Sequence, residues 1–350
     1  MKIVVNDIAA STGGAMTVLR DFYTFVCEND RENQWVFLLA DRYFEETDNV
    51  KIIPMPKVKK SGLNKLWFDF VAGRRFIGKL KPDVVLSLQN IITFGVKAPQ
   101  AVYIHQSIPF QDAKKFSFLR GAERKLAVVQ HLIGTIIKKS AKKSDLVIVQ
   151  ANWMKEALCR KCRISGDRVL VNMPVGNVTA AEGGEFEPTQ FFYPTAPGIY
   201  KNNDCLFKAS RLLRARGVEH EVCMTLHPDK SEAGITCTGR QPYEEVLRRY
   251  GISTLAFPSY IESCALPLLE GRAAGTIVLA ADTAFAREEL AGYENAYFFD
   301  PFQPEELADL MGRVVSGEIV KKPVTCVFVP AGNGWRGVME RVTALCAEKG

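Results

Sequence analysis

The chain has 350 residues, 47% hydrophobic and 24% charged, enough apolar material for two globular cores and about twice the usual domain size. No apolar stretch reaches the roughly 18 residues of a membrane span, so no helix that crosses a bilayer is expected. The net charge of +6 hides an asymmetry: residues 1–178 hold 28 Lys and Arg against 16 Asp and Glu, and the remainder holds 17 against 23. A basic half joined to an acidic half suggests that one half faces an anionic surface or ligand.

The opening MKIVVNDIAASTGG reads as a strand running into a Gly-rich turn. It lacks the apolar segment and cleavage site of a secretory signal, so a cytoplasmic protein is expected. The nine cysteines are odd in number and scattered, which suits reduced thiols. Cys159 and Cys162 form one CxxC without the second ligand pair that zinc requires, and the four histidines supply no ligand spacing.

Short apolar runs alternate with helix-like stretches along the chain, the pattern of parallel sheets covered on both faces. The first series of predicted strands is 2–6, 35–40, 51–54, 83–88, 101–105, 145–150 and 168–171; the second is 191–194, 221–226, 236–239, 255–258, 277–281 and 296–299. A polar segment with Gly183, Gly184 and Pro188 separates them. The expected organisation is therefore an N-terminal Rossmann-like domain over 1–178, a linker over 179–189, a second such domain over 190–330, and a C-terminal helix over 331–350 that could pack back on the first. Two doubly wound α/β domains facing across a cleft would bind ligands at the carboxyl ends of their strands.

In the first half, Gly13 and Gly14 follow a strand and precede an amphipathic run, where backbone can approach an anion closely. The dinucleotide GxGxxG fingerprint is absent. His105 ends the strand 101–105 and so falls at the expected ligand side. Residues 51–81 and 114–143 each hold nine Lys and Arg and one acid. In the second segment Phe118, Ala122, Leu126, Val129, Ile133 and Ile137 read as a helical stripe. Attraction to anionic lipid, at about 1 kcal/mol per basic residue, would make a peripheral anchor on a membrane's inner face. No nucleic-acid motif or aromatic platform accompanies the charge.

In the second half, FPSYIESCALPLLEGRAAGTIVLAADTAFAREEL spans residues 257–290. A strand ends in Pro258, a loop holds Glu262, and Pro267 sits in a first helical turn ahead of Glu270. Backbone amides of Ser263, Cys264, Ala265 and Leu266 then lie at a helix N-terminus, suited to a phosphate.

This segment resembles the Glu-x7-Glu signature of family 4 glycosyltransferases, which have the GT-B fold. The likeness continues through Ala274-Gly275-Thr276, Ala281-Asp282, Arg287-Glu288 and Phe299-Asp300-Pro301. It implies that Glu262 lies beside the donor sugar, that Glu270 accepts from ribose hydroxyls, and that Lys201, in a similar strand-loop-helix unit from Phe191, meets the donor diphosphate. Many relatives have an arginine where this chain has Thr195, and Arg240 could substitute. The usual Gly-Phe-Gly-Leu-Pro is here Ser263-Cys264-Ala265-Leu266-Pro267, so Ala265 replaces a glycine. Similar loops in the family border donor phosphates and acceptor, which places Gly13 and Gly14 there, and a similar His-Gln-x-x-Pro-Phe segment makes His105 a partner of donor sugar or acceptor.

The implied activity is transfer of a sugar, with retention, from a nucleotide sugar to a lipid-linked or growing surface-polysaccharide glycan. No Asp-x-Asp metal motif occurs, so the leaving group's charge falls to Lys201 and helix amides, and no cofactor is expected beyond the nucleotide-sugar substrate. Alternatives are a nucleotide-sugar epimerase or hydrolase of the same architecture and a catalytically weak binding subunit.

Overall fold

The computed structural model describes residues 1–173, 184–323 and 334–347. They form two compact units. The first takes its described residues from Met1–Phe110, Lys125–Pro174 and Ala331–Gly350, and the second from Gln111–Arg124 and Val175–Pro330. The expected linker at 179–189 lies partly outside the described residues.

The first unit is built on seven parallel strands: β1 (Lys2–Asp7), β2 (Gln34–Leu39), β3 (Val50–Pro54), β4 (Val84–Ser87), β5 (Gln100–Ile104), β6 (Leu146–Val149) and β7 (Val169–Val171). Their order is β3-β2-β1-β4-β5-β6-β7, so the winding reverses between β1 and β4. Strand periodicity sends alternate residues to opposite faces. Ile3, Val5, Trp35, Phe37, Tyr103 and Ile148 pack on one face against Leu19, Phe22 and Val26 of the helix Gly13–Asn29. Val338, Val342 and Leu345 of the helix Gly334–Ala347 join the same cluster, so this last helix completes the core of the first unit. Phe22 is wedged there, its ring centroid 5.7 Å from Trp35 and 4.9 Å from Trp335. Val4, Val36, Leu38 and Val85 point to the other face, against Phe68 and Ile77.

The second unit has six parallel strands: β8 (Gln190–Tyr193), β9 (Glu221–Met224), β10 (Ile235–Cys237), β11 (Thr254–Phe257), β12 (Val278–Ala281) and β13 (Ala296–Phe299). Their order is β10-β9-β8-β11-β12-β13, with reversal between β8 and β11. Each sheet is thus parallel and doubly wound, the class expected from the sequence. Near-continuous apolar strands such as Phe191–Phe192–Tyr193 are buried on both faces, as parallel sheets require.

One expectation is corrected. The predicted helical stripe from Phe118 to Ile137 is not one helix: helix starts at Arg124, and Gln111–Arg124 belongs to the second unit. Glu123 is the physical reason. Its buried carboxylate accepts from the Ser117 amide at 3.0 Å and pairs with Lys114 at 3.0 Å, folding the chain before it into a loop that leaves Phe118 and Leu119 exposed.

Two helical rods of the first unit contain a π-helical turn, Phe68–Ala72 and Val128–Ile133. A glycine follows each, and Gly73 shows why: a Cβ there would sit 2.5 Å from Thr93 Cγ2 and 2.7 Å from the Phe68 carbonyl oxygen. Helix propensity alone favours alanine over glycine by about 1 kcal/mol. Overpacking opposes it, at about 1–3 kcal/mol. Gly73→Ala is therefore expected to lower stability in chemical denaturation, and a neutral or stabilised variant would show that the close approach is not maintained.

Candidate functional site

The second unit's candidate site is assembled where its winding reverses. After β8 the chain makes a short 3₁₀ turn, Ile199–Lys201, and enters the helix Asn203–Ala215. The residue between them, Asn202, has φ 55°, a left-handed conformation that asparagine tolerates better than most residues. From there its side-chain amide donates to the carbonyl oxygens of Pro258 at 3.1 Å and Pro301 at 2.7 Å. One side chain thus ties together the loops that follow β8, β11 and β13.

That tie fixes Lys201 and Glu262. Lys201 Nζ lies 2.6 Å from Glu262 Oε1, and the side chains are 25% and 15% exposed, so the pair is largely shielded but still open to a ligand. Ser259 Oγ lies 2.7 Å from the same carboxylate oxygen, and the Tyr193 hydroxyl donates to the Lys201 carbonyl oxygen at 2.8 Å. The resemblance assigned Lys201 to a diphosphate and Glu262 to a sugar. Here each is the other's counter-charge, so an incoming anion would have to share or replace Glu262 as the partner of Lys201.

Glu270 sits on the helix Leu266–Ala273 and is held apart from that pair. Its Oε1 accepts from the Tyr243 hydroxyl and its Oε2 from the Tyr250 hydroxyl, both at 2.9 Å. Burial, then the Glu270 charge, pushes the Tyr243 phenol up to about 12 and raises the Tyr250 phenol as well, so both tyrosines stay protonated and donate. A carboxylate has about four acceptor positions. Two are used and two remain.

The loop 263–266 differs from the expectation in one respect. The Ala265 amide does not await a phosphate, because it donates to Glu289 Oε1 at 2.7 Å. Ala265 has φ −95°, so replacing glycine costs no backbone strain here. Glu289 was missed by sequence reasoning, which stopped at Arg287-Glu288. Burial pushes its carboxyl up to about 8, partly offset by the Ala265 amide. Its spacing was the available signal: Phe285, Ala286 and Glu289 occupy one buried face of the helix Ala284–Glu289. Arg272 also reaches this helix, donating to the Glu289 carbonyl oxygen at 2.7 Å.

Two further predicted residues stand apart in the second unit. Arg240 is exposed, beyond Gly239 at φ 73°. Thr195 donates to Asn203 Oδ1 at 2.8 Å, occupying the position of the family arginine with a local hydrogen bond. A pocket of ≈ 580 Å³ opens beside these loops, lined by Lys114, Asn202, Lys208, Tyr260 and Phe302 among others. Neither Lys201 nor Glu262 lines it.

In the first unit, Gly13 has φ 66° and opens the helix Gly13–Asn29 with Gly14, and Thr12 caps that helix without its side chain. His105 follows β5. Its Nε2 lies 3.0 Å from Asn90 Nδ2, while Asn90 Oδ1 accepts the backbone amides of His105 and Gln106. An amide nitrogen can only donate, so Nε2 is the acceptor and the proton resides on Nδ1. That Nδ1 is buried with no hydrogen-bond partner. Burial lowers the imidazole to about 4, so His105 is neutral at neutral pH.

Among the described residues no group of three or more His, Cys, Asp or Glu could hold a metal ion, and no helix is long and apolar enough to cross a membrane.

Residues 229–326 match the family described as glycosyl transferases group 1. No curated protein matches the sequence. Solved structures share the fold across nearly the whole chain. The lipopolysaccharide outer core galactosyltransferase WaaB superposes with a TM-score of 0.62 at 18% identity, covering 92% of each chain. HepE of Anabaena, solved with UDP-glucose, gives 0.62 at 12% identity over 99% of this chain and 98% of its own. Sucrose-phosphate synthase of Thermosynechococcus elongatus gives 0.63 at 14% over 99% and 96%. The chain has the GT-B fold of these glycosyltransferases, and its second unit carries the sequence pattern of glycosyl transferases group 1.

Proposed function

We propose that the protein is a retaining glycosyltransferase of family 4 that moves a hexosyl group from a nucleotide sugar to a lipid-linked or growing surface-polysaccharide glycan. The proposed setting is the inner face of a membrane. The observation that carries this reading is the Lys201–Glu262 pair at the winding reversal, with Glu270 eight residues beyond Glu262, in and beside the segment that matches the transferase family. HepE, solved with UDP-glucose, favours a uridine diphosphate hexose as donor.

The chemistry follows from charge. Departure of a nucleoside diphosphate develops negative charge on phosphate oxygens, and a preorganised cation in a partly desiccated site stabilises that charge without reorganising. Lys201 is held in place through Ser259, Tyr193 and Glu262. As the diphosphate takes over Lys201, the Glu262 carboxylate is released toward the sugar. The two remaining acceptor positions of Glu270 suit the vicinal hydroxyls of a ribose. Attack by the acceptor on the same face that the phosphate leaves requires no enzyme nucleophile, and the leaving phosphate can take the acceptor's proton. Metal independence is proposed because the sequence has no Asp-x-Asp motif. Gly13, Gly14 and the neutral His105 are proposed to contact donor or acceptor from the first unit, and Arg240 to assist the phosphates.

Lys201→Ala and Glu262→Ala are each expected to lower kcat by about 100- to 1,000-fold with unchanged circular dichroism. Transfer within a few-fold of the parent in both would remove this site assignment. Donor loss without added acceptor would point instead to an epimerase or hydrolase.

Glu289 should act through the loop it holds. Glu289→Gln keeps an acceptor for the Ala265 amide and should preserve donor affinity. Glu289→Ala leaves that amide unpaired, a penalty of about 1–3 kcal/mol, and should weaken donor binding by roughly tenfold or more in titration calorimetry. Equal affinities for the two variants would show that the tether is not used.

His105 gives a pH signature. Its folded value lies below the ordinary one, so the neutral form is favoured on folding. The stability this provides is fully present above about pH 6.5 and is lost as pH falls towards 4. The loss amounts to roughly 3 kcal/mol. Denaturation across this range should show the parent losing stability relative to His105→Gln; parallel curves would mean that the imidazole is not buried in neutral form.

A further inference from the structure

The first unit exposes a face that its own fold does not use. The rod formed by Gly62–Trp67, Phe68–Ala72 and Gly73–Leu80 is packed against the sheet through Phe68 and Ile77. On its outer side Leu63 is 79% exposed, Leu66 38%, Trp67 61% and Val71 46%. Their spacing of three, four and eight residues puts them on one stripe. Scattered exposed apolar residues need no explanation, but a contiguous stripe containing a tryptophan does.

What borders the stripe says what covers it. Lys57, Lys60, Arg74, Arg75 and Lys79 are all exposed on the same stretch of chain. The one acid among residues 51–81 is Asp69, which is fully buried and receives the Lys65 ammonium. The solvent side of these 31 residues therefore carries no negative charge at all. A protein partner with mixed charge gives no reason for so complete an absence, whereas an anionic lipid surface does. Leucine, valine and tryptophan suit the headgroup and acyl boundary, with arginine and lysine reaching the phosphates around them.

The second basic rod lies next to the first. Phe94 stacks on Phe70 at 4.5 Å, and Lys139 Nζ lies 5.7 Å from the Phe94 ring on its own account. Lys139 thus adds to the positive field beside the stripe.

We infer that residues 62–75 form an interfacial docking face that seats the first unit on an anionic lipid bilayer. The inference deepens the membrane setting proposed above and depends on that reading alone, since vesicle binding requires neither donor nor acceptor. Transfer without vesicle binding would overturn the docking face and leave the enzyme; vesicle binding without transfer would do the reverse.

The experiment is co-sedimentation of the full chain with vesicles of phosphatidylcholine, with and without phosphatidylglycerol, joined to tryptophan fluorescence. Trp67 is far more exposed than Trp35 or Trp153, so it is a built-in reporter. The expected result is pelleting with the anionic vesicles only, decreasing with salt, and a blue shift that Trp67→Phe abolishes. Leu63→Ser/Trp67→Ser should lose most pelleting, and Arg74→Gln/Arg75→Gln should lower the partition coefficient about 25-fold, at about fivefold per basic residue. Because all four positions are exposed, the variants should keep the parent's melting temperature. Equal pelleting with neutral vesicles, or no effect of either double variant, would overturn the inference. So would a dimer in sedimentation velocity that Trp67→Ser disperses, which would make the stripe an interface between copies. Release by neutralising Lys138, Lys139, Lys142 and Lys143, with no effect at Leu63 and Trp67, would move docking to the second rod and overturn this assignment as well.

Discussion

Pairing of β8 with β11 is the constraint on which the second unit's candidate site depends. Phe191 and Phe192 lie against Thr254 and Leu255 in parallel register, although some sixty residues separate them in the chain. Parallel neighbours end on the same side, so both strands deliver their following loops to one edge of the sheet. The winding reverses at this pair, and no crossover helix covers the space above it. Lys201 and Glu262 meet there at 2.6 Å because their strands are adjacent. The Asn202 side chain then reinforces what the strands begin.

Strand positions were legible because parallel strands are buried on both faces and read as short unbroken apolar runs. The helices facing them were legible by period. The failure at residues 114–123 is equally physical. Phe118 and Ala122 fit a helical spacing, but the carboxylate of Glu123 competes for the backbone, accepting from Ser117 and leaving a loop. Local hydrogen bonding by one side chain outweighs helical spacing when the apolar residues that carry it have nothing to pack against. Periodicity records what could be buried, not what finds a partner.

The candidate site was legible in part, and the division follows distance along the chain. Glu262, Glu270 and the helix after them lie within one strand-loop-helix unit, where spacing alone fixes geometry. The partners that hold them do not. Tyr243 and Tyr250 reach Glu270 from a preceding helix, and Asn202 ties loops 56 and 99 residues away. Nothing local in the sequence distinguishes such a tyrosine or asparagine from an ordinary surface residue. His105 shows the same limit: its place at a strand end could be read, but its neutral state follows from burial and its tautomer from Asn90, whose left-handed backbone aims one side chain at both an imidazole nitrogen and two amides.

Ala265 and Glu289 together suggest how this chain manages without the glycines of the pattern it resembles. A glycine-rich loop is adaptable because its backbone can change conformation at little steric cost, and that freedom is lost entropically on binding. Here Ala265 is 2% exposed, in an ordinary backbone region, with its amide already bonded to a buried carboxyl on the next helix. The loop is therefore ordered before any ligand arrives, at the cost of one amide that a phosphate could otherwise use. A preordered loop binds with less entropy lost but tolerates fewer donor shapes. The substitution of alanine for glycine and the burial of an acid twenty-four residues later are then two parts of one device, a loop narrowed to a single arrangement by a tether from its neighbouring helix.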